Sequence, residues 1–239
     1  MEFFNNIINL ILYFSITSFM GWCIETIYRS IRNKKFINPG FLYGPFLPIY
    51  GFGAIFIYLA DLYLGRISIF LKIPLWFIIT SALEYISSWI LEKIFSLKLW
   101  DYSNHKFNLN GRISLTFSII WTLFSAFAIY VVQPAVFTLI GKMDVRLAYF
   151  LAGQFVAYFI IDCVFSAKLY AGIIEFIKFP DLIFARISEN ISKLPFYLRR
   201  MIRPLVSFPN LMKEVLFRQS KIPKILLEEI KKRVYGKKG

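Results

Sequence analysis

The sequence predicts an all-α protein, a polytopic bundle of five transmembrane helices followed by short amphipathic helices. Three observations carry that expectation. Of 239 residues, 58% are hydrophobic and only 18% charged, where a soluble domain has roughly a quarter charged. Five long stretches are almost free of charge, and Lys and Arg gather in alternate connections and in the C-terminal tail. The composition excludes intrinsic disorder. The two cysteines, Cys23 and Cys163, both lie in apolar runs, which excludes a disulfide scaffold.

Residues 3–24, 36–60 and 113–141 carry no charge, 73–91 only Glu84, and 147–167 only Asp162. A membrane helix needs about 20 mostly apolar residues. Spans are therefore expected near 6–28, 45–64, 73–95, 115–138 and 147–168. The first reads as a span and not as a cleavable signal. Glu2, not a basic residue, precedes it, and no small-residue cleavage site follows.

Charge fixes the expected orientation. Arg29, Arg32, Lys34 and Lys35 follow the first span, and Lys93, Lys98, Lys106 and Arg112 follow the third. The other side has Arg66 and Lys72 in one connection and Lys142 and Arg146 in the next. Basic residues concentrate on the cytoplasmic side, so the N-terminus is expected outside and the C-terminus in the cytoplasm. Residues 1–168 form the expected membrane domain, and 169–239 a basic cytoplasmic tail. From residue 168 onward there are 16 Lys/Arg against 6 Asp/Glu. The tail is also rich in Leu, Ile and Phe and is broken by Pro180, Pro195, Pro204, Pro209 and Pro223. Short amphipathic helices on an anionic phospholipid surface, near 182–187 and 225–230, fit it better than a nucleic-acid partner.

A charge near the bilayer centre costs a few kcal/mol even on lenient scales, so such groups face the interior or find partners. Glu84 lies 12 residues after Lys72 and 9 before Lys93, near mid-membrane. It reads as a substrate or proton site, or as a structural carboxyl bonded across helices. Asp162, six residues before Lys168, sits about two turns from the inner surface. Glu25 and Arg29 have the spacing of a helical ion pair; alternatively Arg29 contacts a phosphate while Glu25 faces inward.

Residues 40–53 hold four glycines and two prolines and no charge. Pro45 and Pro48 disfavour a regular helix before residue 48. Irregular backbone at membrane depth survives only where protein buries it or it lines a cavity. A broken or re-entrant start to the second span is expected, with Gly44, Tyr50 and Gly51 either lining a cavity or forming a small-residue seam. After the third span, Trp100, Asp101, Tyr102 and Ser103, then Asn108, Asn110, Gly111 and Arg112, make a loop more polar than interfacial anchoring needs. His105, the one histidine, reads as a solvated loop residue. No phosphate-binding Gly-rich loop, zinc set or serine-hydrolase motif occurs. No cofactor or metal is expected, and the reading leans away from an enzyme.

The run from Gly40 to Ala54, with Gly21-Trp22 and Glu25 before it and Trp100-Asp101-Tyr102-Ser103 after it, resembles the bacterial ABC-transporter type IV, or CmpB-like, membrane family. The likeness covers about residues 8–168 and leaves out the tail. It implies a bacterial inner-membrane permease subunit working with a separate ATPase. Carried onto this chain, the family pattern points to Glu25, Gly44, Pro45, Pro48, Tyr50, Gly51, Glu84, Trp100, Asp101, Tyr102, Asn110, Gly111, Arg112 and Asp162. The leading expectation is a permease-like subunit with a polar cavity open to the cytoplasm, completed by an ATPase or by further copies of itself. The alternatives are a membrane enzyme acting on a lipid at the inner leaflet, with Asp101 or Glu25 as acid/base and Arg29 and Arg112 holding a phosphate, and a scaffold recruiting a partner through the tail.

Overall fold

A computed structural model describes residues 2–65, 67–95, 98 and 100–178, with a few positions between 204 and 231. In chain order these are α1 (Glu2–Asn33), α2 (Pro48–Leu64), α3 (Ile69–Phe95), β1 (Asn108–Leu109), β2 (Ile113–Ser114), α4 (Leu115–Phe127), a π-helical turn (Ala128–Val132), α5 (Gln133–Gly141) and α6 (Val145–Lys178). The expected all-helical architecture is present, with one two-stranded hairpin added. Arg66 and the tail segments at 182–187 and 225–230 lie outside the described residues, apart from Leu227 and Glu228.

Four helical stretches are long and apolar enough to cross a membrane: Ile7–Asn33, Ile69–Ile94, Leu115–Gly141 and Val145–Glu175. The remaining one, α2, has 17 residues. At 1.5 Å per residue it reaches roughly 25 Å, short of a hydrocarbon core of about 30 Å. The helices also overrun the expected spans. Lys72 lies in the second turn of α3 and Arg146 in the first turn of α6, so neither is a connecting residue.

Burial differs from that of a soluble protein in its polar interior and its apolar surface. Ser18, Ser81, Glu84, Ser88, Ser118, Thr122, Ser125 and Asp162 are buried, while Ile78, Ile86, Leu123, Phe150, Ile160 and Ile161 are exposed. Large apolar residues outside and small polar ones inside suit a chain whose solvent is lipid. Some hydroxyls inside the helices bond back to their own backbone: Thr80 donates to the Trp76 carbonyl at 2.9 Å and Thr122 to that of Ser118 at 2.8 Å. Those of Ser18, Ser81 and Ser88 are buried without a hydrogen bond.

The chain forms two compact units, residues 1–89 with 101–163, and residues 90–100 with 164–239. In the first, α1 packs along α2. A Cβ on Gly51 would meet Ser18 and Phe14, and one on Gly21 would meet the Tyr50 ring. These two glycines are therefore a small-residue seam. One apolar core joins Leu12, Tyr13, Ala54, Val136, Ile140, Ala148 and Ala152; a second joins Ile57, Trp76 and Ile129. The π turn has a local cause. Pro134 has no N–H to return to the helix ladder, and the Gln133 N–H bonds the Ala128 carbonyl, five residues back. In the second unit, Leu169, Tyr170, Ile173, Leu205, Phe208 and Val215 are buried, with Tyr170 and Phe208 rings 5.9 Å apart.

Candidate functional site

Four elements of the first unit bring polar side chains to one place. From α1 come Glu25 and Arg29, one helical turn apart, with Arg29 Nε 2.8 Å from Glu25 Oε2. The ion pair expected from their spacing is made. From α2, Tyr50 donates its hydroxyl to Glu25 Oε1 at 3.4 Å, a long hydrogen bond. From α3, Glu84 is only 4% exposed. Its Oε1 accepts a hydrogen bond from the Tyr102 hydroxyl at 3.0 Å; its Oε2 makes no hydrogen bond of good geometry, and the Trp121 indole is the other donor near the carboxyl. From α4, Trp121 lies beside the same carboxyl and meets the Tyr50 ring edge-on, centroids 4.9 Å apart.

Tyr102 reaches Glu84 because the loop after α3 folds back into the bundle. Its ring stacks on Phe117 at 4.7 Å, and the His105 ring meets both edge-on. The Tyr102 N–H donates to the Gly111 carbonyl at 2.7 Å. Burial, and then the Glu84 carboxylate, push the Tyr102 phenol well above its ordinary pKa, so it stays a donor. Glu25 and Arg29 act on the same phenol electrostatically, which places all four groups in one field.

A tight turn holds the loop in shape. Asn110 and Gly111 both have positive φ, 53° and 68°, as the two central residues of a primed β-turn require, and Arg112 completes a three-residue connection between the paired Leu109 and Ile113. The Arg112 N–H closes the turn on the Leu109 carbonyl at 3.0 Å. The Asn110 amide and the Arg112 guanidinium both donate to the Tyr85 hydroxyl, at 3.0 and 3.2 Å. Asp101 accepts from the N–H and hydroxyl of Ser103. Asp101, Asn110 and Arg112 are thus engaged in holding the loop. Trp100 belongs to the second unit and is half-buried.

Asp162 of α6 stands apart from this group. Its two oxygens accept the backbone N–H groups of Tyr43 and Gly44 at 3.0 and 2.9 Å. A Cβ on Gly44 would strike Asp162 and the Tyr158 hydroxyl, so only glycine permits this approach. The irregular stretch before α2 is expected from its prolines and is found. The Leu47 N–H bonds the Ser18 carbonyl at 3.0 Å, and Asn38 links the Trp22 indole at 2.6 Å to the Tyr43 carbonyl at 3.0 Å. Pro48 then opens α2 at a position where no N–H is needed.

A cavity of about 90 Å³ adjoins Glu84 and Tyr50. Met20, Ile24, Leu83, Phe124, Phe127 and Val132 are among its walls, with Thr17, Thr80 and Ser125. It is mainly apolar, where a polar cavity was expected, because the Ser and Thr hydroxyls turn back onto their own helices. Of the expected site residues, Tyr50 and Glu84 line it directly. Sequence reasoning passed over Trp121 and the Lys72–Asp61 pair, whose Nζ and Oδ1 are 2.6 Å apart. Asp61 ends the uncharged run of 36–60, and that boundary was the available signal.

The family model described as "Putative ABC-transporter type IV" matches residues 12–167. The chain belongs to this family. The match covers the helices and the loop that build the chamber and leaves the basic tail outside, as the resemblance of the Gly40–Ala54 run implied. No curated protein and no solved structure matches the chain.

Proposed function

We propose that the chain is a permease-like subunit of the bacterial inner membrane. A small solute would be held between α1, α2, α3 and α4, with Glu84 as its polar contact and the Tyr102 loop covering it. The observation that carries this reading is the buried Glu84 carboxyl, one oxygen bonded by Tyr102 and the other without a hydrogen bond of good geometry, beside a cavity. Most buried polar atoms in folded proteins have a hydrogen-bond partner, and a carboxylate oxygen is the most costly kind to leave without one. Glu25 and Arg29 hold Tyr50 in place, and Asp162 fixes the irregular approach to α2. In this proposal α2 and its irregular approach together make a fifth crossing. That places the N-terminus outside and the basic tail at the inner leaflet, where it anchors to anionic lipid. A conduit through so few helices is completed by a separate ATPase or by further copies of the chain.

Full-length protein in proteoliposomes, alone and together with any ATPase that co-purifies with it, tests the reading. Solute efflux from a mixed panel is expected, and Glu84→Gln should lower it at least tenfold. Unchanged flux in the Gln variant removes Glu84 from the mechanism. No flux in either reconstitution overturns the permease reading. Cysteine labelling at residue 5 and at residue 236 from opposite sides checks the orientation.

A further inference from the structure

We infer that the cavity beside Glu84 binds a small organic cation, an alkylammonium group caged by aromatic rings. The inference deepens the permease reading and rests on it for the location of the site. Three features define the ligand chemistry. The carboxyl is 4% exposed, its Oε2 makes no hydrogen bond of good geometry, and the donors beside it, the Tyr102 phenol and the Trp121 indole, are neutral. Among the described residues neither ion pair, Arg29–Glu25 nor Lys72–Asp61, includes it. A buried carboxylate left without a counter-charge is costly, and a cation in the cavity supplies what the protein does not.

The walls select the kind of cation. Tyr50, Trp121, Phe124 and Phe127 all line the space. Tyr50 to Trp121 is 4.9 Å between centroids and Trp121 to Phe124 is 6.3 Å, so these three rings form a connected wall. Ring faces attract a poorly hydrated cation with methyl or methylene groups around nitrogen. A hydrated metal ion needs several oxygen ligands, and one carboxyl among apolar residues does not supply them. Size sets the limit. At about 90 Å³ the space is smaller than the ~150 Å³ engineered cavity that takes benzene. It suits a head of a few heavy atoms, such as trimethylammonium, with the rest of the molecule leaving past the exposed Ile24 and Phe127 side chains.

The same head group could come from a free amine or from a zwitterionic lipid, and the test separates them. Purified full-length protein is placed in nanodiscs of phosphatidylglycerol alone, and binding of radiolabelled choline and of its neutral carbon isostere, 3,3-dimethylbutan-1-ol, is measured by equilibrium dialysis. Choline is expected to bind at least tenfold more tightly than the isostere. Glu84→Gln should abolish that preference while the isostere still binds, which shows that the cavity remains folded. Trp121→Leu should weaken choline roughly three- to thirtyfold, and Trp121→Phe should restore most of it. Repeating the assay with phosphatidylcholine in the discs identifies the source. Choline displaced by the lipid supports the same cation site with a lipid head group as occupant; choline undisturbed supports a free amine. Equal binding of cation and isostere, or a cation preference that survives Glu84→Gln, overturns the inference. Because no transport is measured, this outcome is independent of whether the protein moves solute.

Discussion

Glu84 and Asp162 are both carboxyls on membrane-spanning helices, and both are buried, at 4% and 6% exposure. They differ in what their oxygens meet. Asp162 receives two main-chain N–H groups, from Tyr43 and Gly44. Glu84 receives one phenol and leaves an oxygen beside a cavity. The first arrangement fastens one piece of chain to another. The second keeps binding capacity in reserve. Burial of an acidic group in a membrane bundle therefore does not separate anchor from site; the occupancy of its lone pairs does.

The largest way to break this comparison is to crowd the anchor. Gly44→Val places side-chain atoms on Asp162 and Tyr158, and thermal unfolding in detergent should show a loss of about 3–5 kcal/mol. Asp162→Asn sets an amide against two N–H donors and should lose about 2–3 kcal/mol. Glu84→Gln is the contrasting variant. It keeps an acceptor for Tyr102, and its unfolding free energy should stay within about 1 kcal/mol of the parent. An equal loss for the Glu84 and Asp162 variants would erase the distinction between anchor and site.

Smaller effects sharpen it. Tyr102→Phe removes the hydroxyl from Glu84 and should cost about 1–1.5 kcal/mol while changing solute flux more than stability. Flux at the parental level would mean that the Tyr102 bond only holds the loop. Asn110→Ala removes the amide from Tyr85 and puts alanine at φ 53°. About 1 kcal/mol is expected, together with faster amide exchange in the hairpin and little change in the Asp162 region.

Much of the chamber was legible because membrane chemistry leaves few options for a charged group. Glu25, Glu84 and Asp162 stood out as charges in uncharged runs, and the Gly40–Gly53 stretch as backbone that could not be regular helix. The Glu25–Arg29 pair followed from helical spacing alone. The hairpin has a sequence signal, Asn110-Gly111, a strong short-range mark of a tight turn, but the polar residues around it suggest a chemical site as readily as a turn. Gly21 and Gly51 form a small-residue seam, and Gly21 and Gly53 line the cavity, so close packing and open space share one glycine.

The sequence by itself determined that this is a membrane helix bundle with acidic groups turned inward, because hydropathy and the cost of a bare charge in hydrocarbon act on each residue separately. The tertiary structure alone decided which groups meet. Tyr102 is 18 positions from Glu84, and Gly44 is 118 from Asp162; neither pairing is encoded in local spacing. Those contacts depend on how a loop folds back and how closely a glycine lets two segments approach, and these are properties of packing in three dimensions.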